Sequence, residues 1–327
     1  MSSKIDKKYM RMALNMARRG LGLVAPNPAV GCVLVKDDVV IVVAHTARGG
    51  RPHAEVIALE KAGYEARGAC AYVSLEPCAH TGQTGPCACA LIDAGVVRVV
   101  VACGDPDPRV SGQGIAMLRD AGIEVVEGVC EAEALALNAG FISRVTRGQP
   151  FVTLKCAVSA DGKIAAEQGA RTQISGELAQ RYMHLQRSFY DAILVGSETY
   201  LVDKPQLTTR LEGFRHEPLR VILDRRGRVE DAPGFEICRQ ACVEEVLAYL
   251  AEKGVTRLLV EGGMQVHRSF LEAGMVDEFQ LCKSPVVLGD KGVDGVSVDE
   301  ICVLSGLKLQ KTRVLGEDVL EIYGCEG

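Results

Sequence analysis

The sequence predicts an α/β protein of two domains. Three observations carry that reading. Strand-like and helix-like apolar patterns alternate through both halves of the chain. A polar segment ending in a helix-breaking pair, Arg144-Val145-Thr146-Arg147-Gly148-Gln149-Pro150, interrupts them near the middle. The 327 residues are also about twice what one compact domain usually holds. The boundary is placed at that segment, with domains at 1–146 and 147–327.

In the first half, Tyr9, Met10, Ala13, Leu14 and Ala17 recur at helical spacing over 6–19, and Gly20 follows as a stop. Residues 30–35 and 39–44 read as strands joined by the turn Lys36-Asp37-Asp38. A helix over 54–62, a strand over 71–75, a helix over 87–94 and a strand over 96–101 come next. A helix over 114–121 and a strand over 123–126 close the series. The second half restarts with a strand over 151–158, a helix over 177–189 and strands over 192–195 and 219–223. A helix over 243–253, a strand over 257–260 and a helix over 264–273 follow. The chain finishes on β-like runs at 278–282 and 318–323.

Composition narrows the function. Acidic residues outnumber basic ones, 42 to 37, and aromatics are sparse, with eight Tyr, seven Phe and no Trp. A broad phosphate-tracking surface or a base-stacking platform for nucleic acid is therefore not expected. No apolar run approaches the roughly 20 residues a membrane span needs, and the start of the chain shows no signal-peptide core. The chain reads as cytoplasmic, with no membrane partner. Thirteen cysteines without an export signal argue against a disulfide framework, and most sit in apolar runs as small hydrophobes.

Three residues stand apart from that background: His53, Cys78 and Cys87, with Glu55 two positions after the histidine. A catalytic zinc takes three protein ligands and keeps one position open, and thiolates with an imidazole suit the ion. His53 stands where a helix begins, Cys78 follows Pro77 beyond a strand, and Cys87 follows Pro86 at the next helix start. Glu55 is placed to move protons without ligating the metal. Zinc deaminases of nucleobases carry His-x-Glu followed by Pro-Cys-x-x-Cys, and here eight residues rather than two separate the cysteines. Cys89, at i+2 on the helix, points away from Cys87; it and Cys103 are assigned to packing.

These stretches, with Pro26-Asn27-Pro28, Leu75-Glu76-Pro77-Cys78, Thr84-Gly85-Pro86-Cys87 and Asp105-Pro106-Asp107-Pro108, resemble the bifunctional deaminase-reductase family of riboflavin biosynthesis, the RibD family. Ala160-Asp161-Gly162-Lys163, Asp191–Gly196, Leu207-Thr208-Thr209-Arg210 and Val260-Glu261-Gly262-Gly263 extend the resemblance over nearly the whole chain. It implies a cytidine-deaminase-like zinc domain followed by a dihydrofolate-reductase-like domain, and a homo-oligomer. The first domain would hydrolyse the 2-amino group of 2,5-diamino-6-ribosylamino-4(3H)-pyrimidinone 5′-phosphate, and the second would use NADPH to reduce the ribose to a ribityl chain.

The family's pattern also implies residue roles. His53, Cys78 and Cys87 would hold zinc, Glu55 would shuttle the proton, and Asn27 and His45 would contact the pyrimidine. Ala157, Thr199, Asp203 and the run Gly263, Met264, Gln265, Val266, His267, Arg268 and Ser269 would lie against NADPH. Arg187, Leu207, Arg210 and Glu261 would contact substrate, with Lys163 and Glu261 nearest the reacting ribose. A ribose phosphate suits arginine forks, and a pyrophosphate suits the backbone N–H groups of a glycine turn opening a helix.

Several positions depart from the family. Val43-Ala44-His45 replaces a Gly-aromatic-His run, Gln83 a basic residue, Gln173 a tryptophan, Arg171 a serine, Lys204 an aspartate and Arg225 a small polar residue. Two readings follow. Either Arg48 or Arg51 replaces the missing phosphate contact and Arg225 meets the cofactor's 2′-phosphate, or the second half has drifted into a weak reductase or a ligand-sensing scaffold. A deaminase acting on a tRNA or single-stranded DNA base shares the zinc motif, and the charge balance speaks against it.

Overall fold

The computed structural model describes residues 3–79, 85–108, 111–169, 172–210, 217–295 and 297–325. They form two compact units, 1–148 and 149–327.

The first unit starts with α1 (Lys4–Arg18). Ser3 caps it: its hydroxyl accepts the Asp6 N–H at 3.0 Å, and the Asp6 carboxylate accepts the Ser3 N–H at 3.3 Å. The buried stripe Tyr9, Met10, Ala13, Leu14 and Ala17 packs on β1 (Gly31–Lys36), every residue of which but the last is buried. The two approach so closely that a Cβ on Gly31 would stand 1.9 Å from the Ala13 carbonyl oxygen. β1 and β2 (Val39–His45) form a hairpin whose two turn residues, Asp37 and Asp38, take φ of 51° and 60°, as a tight turn between twisted strands requires.

Then follow α2 (Ala54–Ala62), β3 (Cys70–Val73), α3 (Cys87–Asp93), β4 (Arg98–Val101), α4 (Gln113–Asp120) and β5 (Glu124–Val126). The sheet order is β2-β1-β3-β4-β5, with β1 antiparallel to β2 and β3, and with β3, β4 and β5 parallel. Two further helices, α5 (Glu131–Leu137) and α6 (Ala139–Arg147), were not foreseen. α5 buries only Ala134 and Leu137, so its periodic signal is faint. Arg144–Arg147, read as linker, is the last turn of α6, which stops at Gly148 with φ 70°.

The second unit runs β6 (Phe151–Val158), β7 (Lys163–Ala165), α7 (Glu177–Arg187), β8 (Ala192–Gly196), α8 (Ser197–Asp203), β9 (Leu219–Leu223), β10 (Glu236–Cys238) and α9 (Val243–Glu252). It continues with β11 (Arg257–Gly262), α10 (Met264–Glu272), β12 (Glu278–Lys283), β13 (Val293–Asp294), α11 (Val298–Ser305), β14 (Lys308–Leu315) and β15 (Asp318–Gly324). Eight strands form one sheet in the order β10-β9-β8-β11-β6-β12-β15-β14. It is parallel from β10 to β12, and β15 and β14 add antiparallel strands. β7 and β13 pair separately. The parallel strands are apolar along their length, as strands covered on both faces are: Ala192–Gly196 is buried throughout. α7 ends at Arg187, two residues before the end read from the sequence. Among the described residues no helix is long and apolar enough to cross a membrane.

Candidate active sites

The parallel strands β3 and β4 end at one edge of the first sheet, where antiparallel β1 begins and β2 ends. His53 is the last residue before α2, Cys78 lies five residues beyond β3, and Cys87 is the first residue of α3. Their donor atoms converge within 4.8 Å. His53 Nδ1 stands 3.3 Å from Cys87 Sγ and 3.7 Å from Cys78 Sγ. Donors around a tetrahedral zinc, at about 2.0 Å for nitrogen and 2.3 Å for sulfur, lie about 3.5 Å apart. The His/Cys/Cys set thus fits zinc in chemistry and in spacing.

Electrostatics agrees with a thiolate ligand. The Cys87 thiol, reinforced by His53 and by the Cys87 backbone N–H at 3.3 Å, pulls the Cys78 pKa down to about 4 against the opposing effect of burial. The same hydrogen bond, with burial, pushes Cys87 up, so Cys78 ionises first. Glu55, in the first turn of α2, is 3% exposed, and burial raises its pKa to about 7. Cys103 is buried with its Sγ 3.6 Å from the Ser74 carbonyl, and half-buried Cys89 lies outside the convergent group.

Glu76, in the stretch Leu75-Glu76-Pro77-Cys78, organises the approach to Cys78. Its buried carboxylate accepts backbone N–H groups of Gly112 and Gly114 at 3.0 Å and of Asp105 and Ile115 at 3.3 Å. It thereby supplies the acceptors that the first turn of α4 lacks. A Cβ on Gly114 would sit 1.9 Å from the Pro77 carbonyl oxygen, so this contact admits only glycine.

Asn27 and His45 stand at the same sheet edge. Asn27 packs against Gly50, where a Cβ would fall 1.9 Å from its Nδ2, and His45 pairs with Gly31 across the hairpin with its Nδ1 donating to the Thr46 carbonyl at 2.9 Å. Gln83 lies outside the described residues.

The second unit holds a cleft of about 460 Å³ at the ends of β6, β8 and β11, lined by Lys155, Ala157, Thr199, Asp203, Glu261 and Gly263 among others. Glu261 binds Arg187 through two hydrogen bonds, Nε to Oε1 and Nη2 to Oε2, both 2.7 Å. Burial alone would raise the Glu261 carboxyl, but the Arg187 guanidinium, helped by Lys155, holds it at about 2. Arg187 Nη1 also donates to the Thr208 carbonyl at 2.9 Å.

An adjoining cleft of about 480 Å³ shares Thr199, Gly263 and Met264 and continues past Gln265, Val266 and Ser269 to Arg225. Their shared wall is packed tightly through glycines. A Cβ on Gly196 would stand 2.8 Å from Val266 Cγ2, one on Gly262 3.1 Å from Thr199 Cγ2, and Gly263 takes φ +85° as it opens α10. His267, 3% exposed, lines the first of these clefts with its Nε2 unpartnered among the described residues. The Gly263 turn opening α10, two adjoining clefts of ligand size and an orphaned polar atom fit an extended dinucleotide.

Other expected residues are placed differently. Lys163 lines neither cleft, and its ammonium pairs with Asp294 at 2.7 Å. Among the described residues the cation that lines the cleft with Glu261 is Lys155, a residue missed in the sequence although it is the one charge in the strand Phe-Val-Thr-Leu-Lys-Cys-Ala-Val. Arg268 pairs with Glu300 at 3.0 Å on the exposed side of α10. Leu207, 2% exposed, packs with Tyr190, Ile193, Val195 and Leu259, and Arg210 is exposed with φ 50°. Gln173 lines the first cleft, Lys204 ends α8 in the left-handed conformation, and Arg171 lies outside the described residues.

Comparison with known proteins places both halves. Residues 3–103 match the cytidine and deoxycytidylate deaminase zinc-binding region, and residues 150–320 match the RibD C-terminal domain. The riboflavin biosynthesis protein RibD of Aquifex aeolicus is 37% identical, with 99% of each chain covered. That of Escherichia coli is 35% identical, covering 98% of this chain and all of the relative. The solved Acinetobacter baumannii RibD superposes with a TM-score of 0.89 at 36% identity, covering 98% of this chain and 99% of the other. The diaminohydroxyphosphoribosylaminopyrimidine deaminase/5-amino-6-(5-phosphoribosylamino)uracil reductase of Thermotoga maritima superposes with a TM-score of 0.88 at 35% identity, covering 98% of both.

Proposed function

The chain belongs to the RibD family of riboflavin biosynthesis deaminase-reductases, and from that premise we propose how its own residues divide the two reactions. The first unit deaminates the diaminopyrimidine ribosyl phosphate, and the second reduces the ribose of the resulting aminouracil with NADPH. The observation that carries this reading is one chemically complete site in each unit: His53, Cys78 and Cys87 with buried Glu55, and the Lys155–Glu261 cleft beside the Gly263 turn.

In the deaminase site, His53, Cys78 and Cys87 would hold zinc. The chemistry zinc supplies there is Lewis-acid activation of water near neutral pH. Deamination adds water across the ring's amidine carbon and breaks its bond to the amino group, which leaves as ammonia. A group must take a proton from the water and return one to the leaving nitrogen. Glu55, poised to exchange a proton near pH 7, is that group. Asn27 and His45 orient the pyrimidine.

In the reductase site, Ala157, Thr199, Asp203 and the Gly263 turn would hold NADPH, and the chemistry it would supply there is hydride donation. Opening the ribose while its anomeric carbon is reduced needs a proton on the ring oxygen. Lys155 is the donor placed in the cleft for it. Glu261, fixed by the Arg187 fork, orients the sugar hydroxyls. Lys163 is left a structural role through Asp294. The resemblance also carries a homo-oligomer, which the mass of the protein in solution tests.

The test is a paired assay. Ammonia release from the diaminopyrimidine ribosyl phosphate is followed without NADPH, and NADPH oxidation is followed with the deaminated product. Both signals are expected. Ammonia without NADPH oxidation would leave a deaminase with a degenerate second unit, and neither signal in zinc-loaded protein would refute the substrate.

A further inference from the structure

We propose that His184 is a positioning residue of the reductase: with Arg187 it clamps the Thr208 carbonyl, and so holds the loop 207–210 in the form that presents Arg210 to an anionic substrate. The inference rests on the reading that the second unit reduces a ribosyl phosphate.

The loop carries backbone strain. Leu207 and Arg210 take φ of 53° and 50°. Residues with side chains adopt that conformation at a cost and keep it only where their surroundings impose it. Three restraints among the described residues do so. The Leu207 side chain, 2% exposed, is buried with Tyr190, Ile193, Val195 and Leu259. Thr209 donates its N–H and its hydroxyl to the Glu217 carboxylate, both at 3.4 Å. Between them, the Thr208 carbonyl accepts Arg187 Nη1 at 2.9 Å and a hydrogen bond from the His184 imidazole. This third restraint ties the loop to α7, and Arg210 stands exposed just beyond it.

His184 and Arg187 share a face of α7, three residues apart, with Nδ1 and Nη1 at 3.5 Å. The guanidinium has two edges in use. Nε and Nη2 grip Glu261, and Nη1 faces the loop. His184 therefore meets the loop edge and not the edge that fixes the Glu261 carboxylate. Burial, followed by the Arg187 charge, lowers its pKa, and Arg210 adds to that effect against the Thr208 bond and Glu261. At neutral pH the imidazole thus supports the carbonyl without placing a third positive charge beside the two arginines. Such an arrangement separates binding from chemistry. Losing the imidazole would loosen the loop and Arg210 while leaving the Glu261 fork in place, so KM should rise and kcat should hold.

The test is steady-state reduction of 5-amino-6-(5-phosphoribosylamino)uracil by the full chain with NADPH. His184→Leu is expected to raise KM for the aminouracil at least about fivefold, as loss of one hydrogen bond would, with kcat within about threefold of wild type. His184→Asn, which keeps an N–H donor beside the carbonyl, is expected to recover most of that loss. Arg210→Ala should also raise KM, and the double variant should resemble Arg210→Ala alone, because one side chain acts through the other. An unchanged KM in His184→Leu, a fall in kcat without a rise in KM, no rescue by His184→Asn, or additive effects in the double variant would each overturn the proposal. NADPH binding, followed by nicotinamide fluorescence, is expected to survive in every variant. Its loss in His184→Leu would show that His184 supports the whole unit rather than the loop, and would overturn the proposal too. Wild-type protein that oxidises no NADPH with this substrate would refute the reductase reading beneath, a result distinct from turnover that is indifferent to His184.

Discussion

Arg187 and Glu261 meet through two parallel hydrogen bonds of 2.7 Å, with side chains only 14% and 9% exposed. Such a fork holds a carboxylate in one plane, and breaking it strands a buried charge. Removing one partner of a buried pair costs about 3–5 kcal/mol. Arg187→Ala is therefore expected to lower the unfolding midpoint of the second unit and abolish reduction. Glu261→Gln, which keeps the shape, should abolish reduction with a smaller loss of stability. Deaminase turnover should survive both changes. Reduction persisting in Glu261→Gln would remove Glu261 from the reaction.

Glu55→Gln keeps the size of a buried side chain and removes its proton chemistry. Ammonia release is expected to fall by about 10²–10⁴, with zinc content by elemental analysis unchanged and reduction of the deaminated intermediate intact. Loss of both activities would contradict two independent sites. Stripping zinc with a chelator should give the same split in activity and also lower the unfolding midpoint of the first unit, because bound metal stabilises only the folded chain.

The two lysines of the second unit provide a direct contrast. Lys155 lines the cleft and Lys163 pairs with Asp294. Lys155→Met should reduce kcat for NADPH oxidation at least about a hundredfold with little change in KM, whereas Lys163→Met should alter kcat by less than about threefold. The opposite ranking would return the catalytic role to Lys163.

His267 gives the second unit a pH dependence of stability. Burial lowers its pKa to about 4, against an ordinary value of 6.5. Between those values the unfolded chain binds a proton that the folded chain does not. Stability therefore rises with pH through this window, is complete above about 6.5 and is lost as pH falls towards 4. The gap is worth on the order of 3 kcal/mol. Denaturant unfolding at pH 7, 5.5 and 4.5 should show that loss, and His267→Gln should flatten it.

Much of the architecture was legible because it rests on local pattern. The stripe of α1, the apolar run of β8 and the two-residue Asp37-Asp38 turn each carry their own period or turn chemistry. What escaped lacks such a signal. β14 exposes nearly every residue and β10 has three, so neither shows an inward face, and α8 is only two turns long. The zinc ligands and Glu55 stood out by residue type at element ends. The Arg187–Glu261 fork did not, because its members lie 74 residues apart and only the sheet order brings them together. Lys155 was passed over for a simpler reason: a lysine in a strand reads as a solvated edge until a cleft is seen to open over it.

The Glu76 carboxylate has a kinetic consequence. Four amide protons, on Asp105, Gly112, Gly114 and Ile115, depend on one side chain that is itself two residues from Cys78. None of them can be released to solvent without disturbing the acceptor of the others. Their hydrogen exchange should therefore be slow and collective, and the segment should open as one unit rather than fray residue by residue. Exchange at these four positions would report, from outside the metal site, how firmly the segment carrying Cys78 is held.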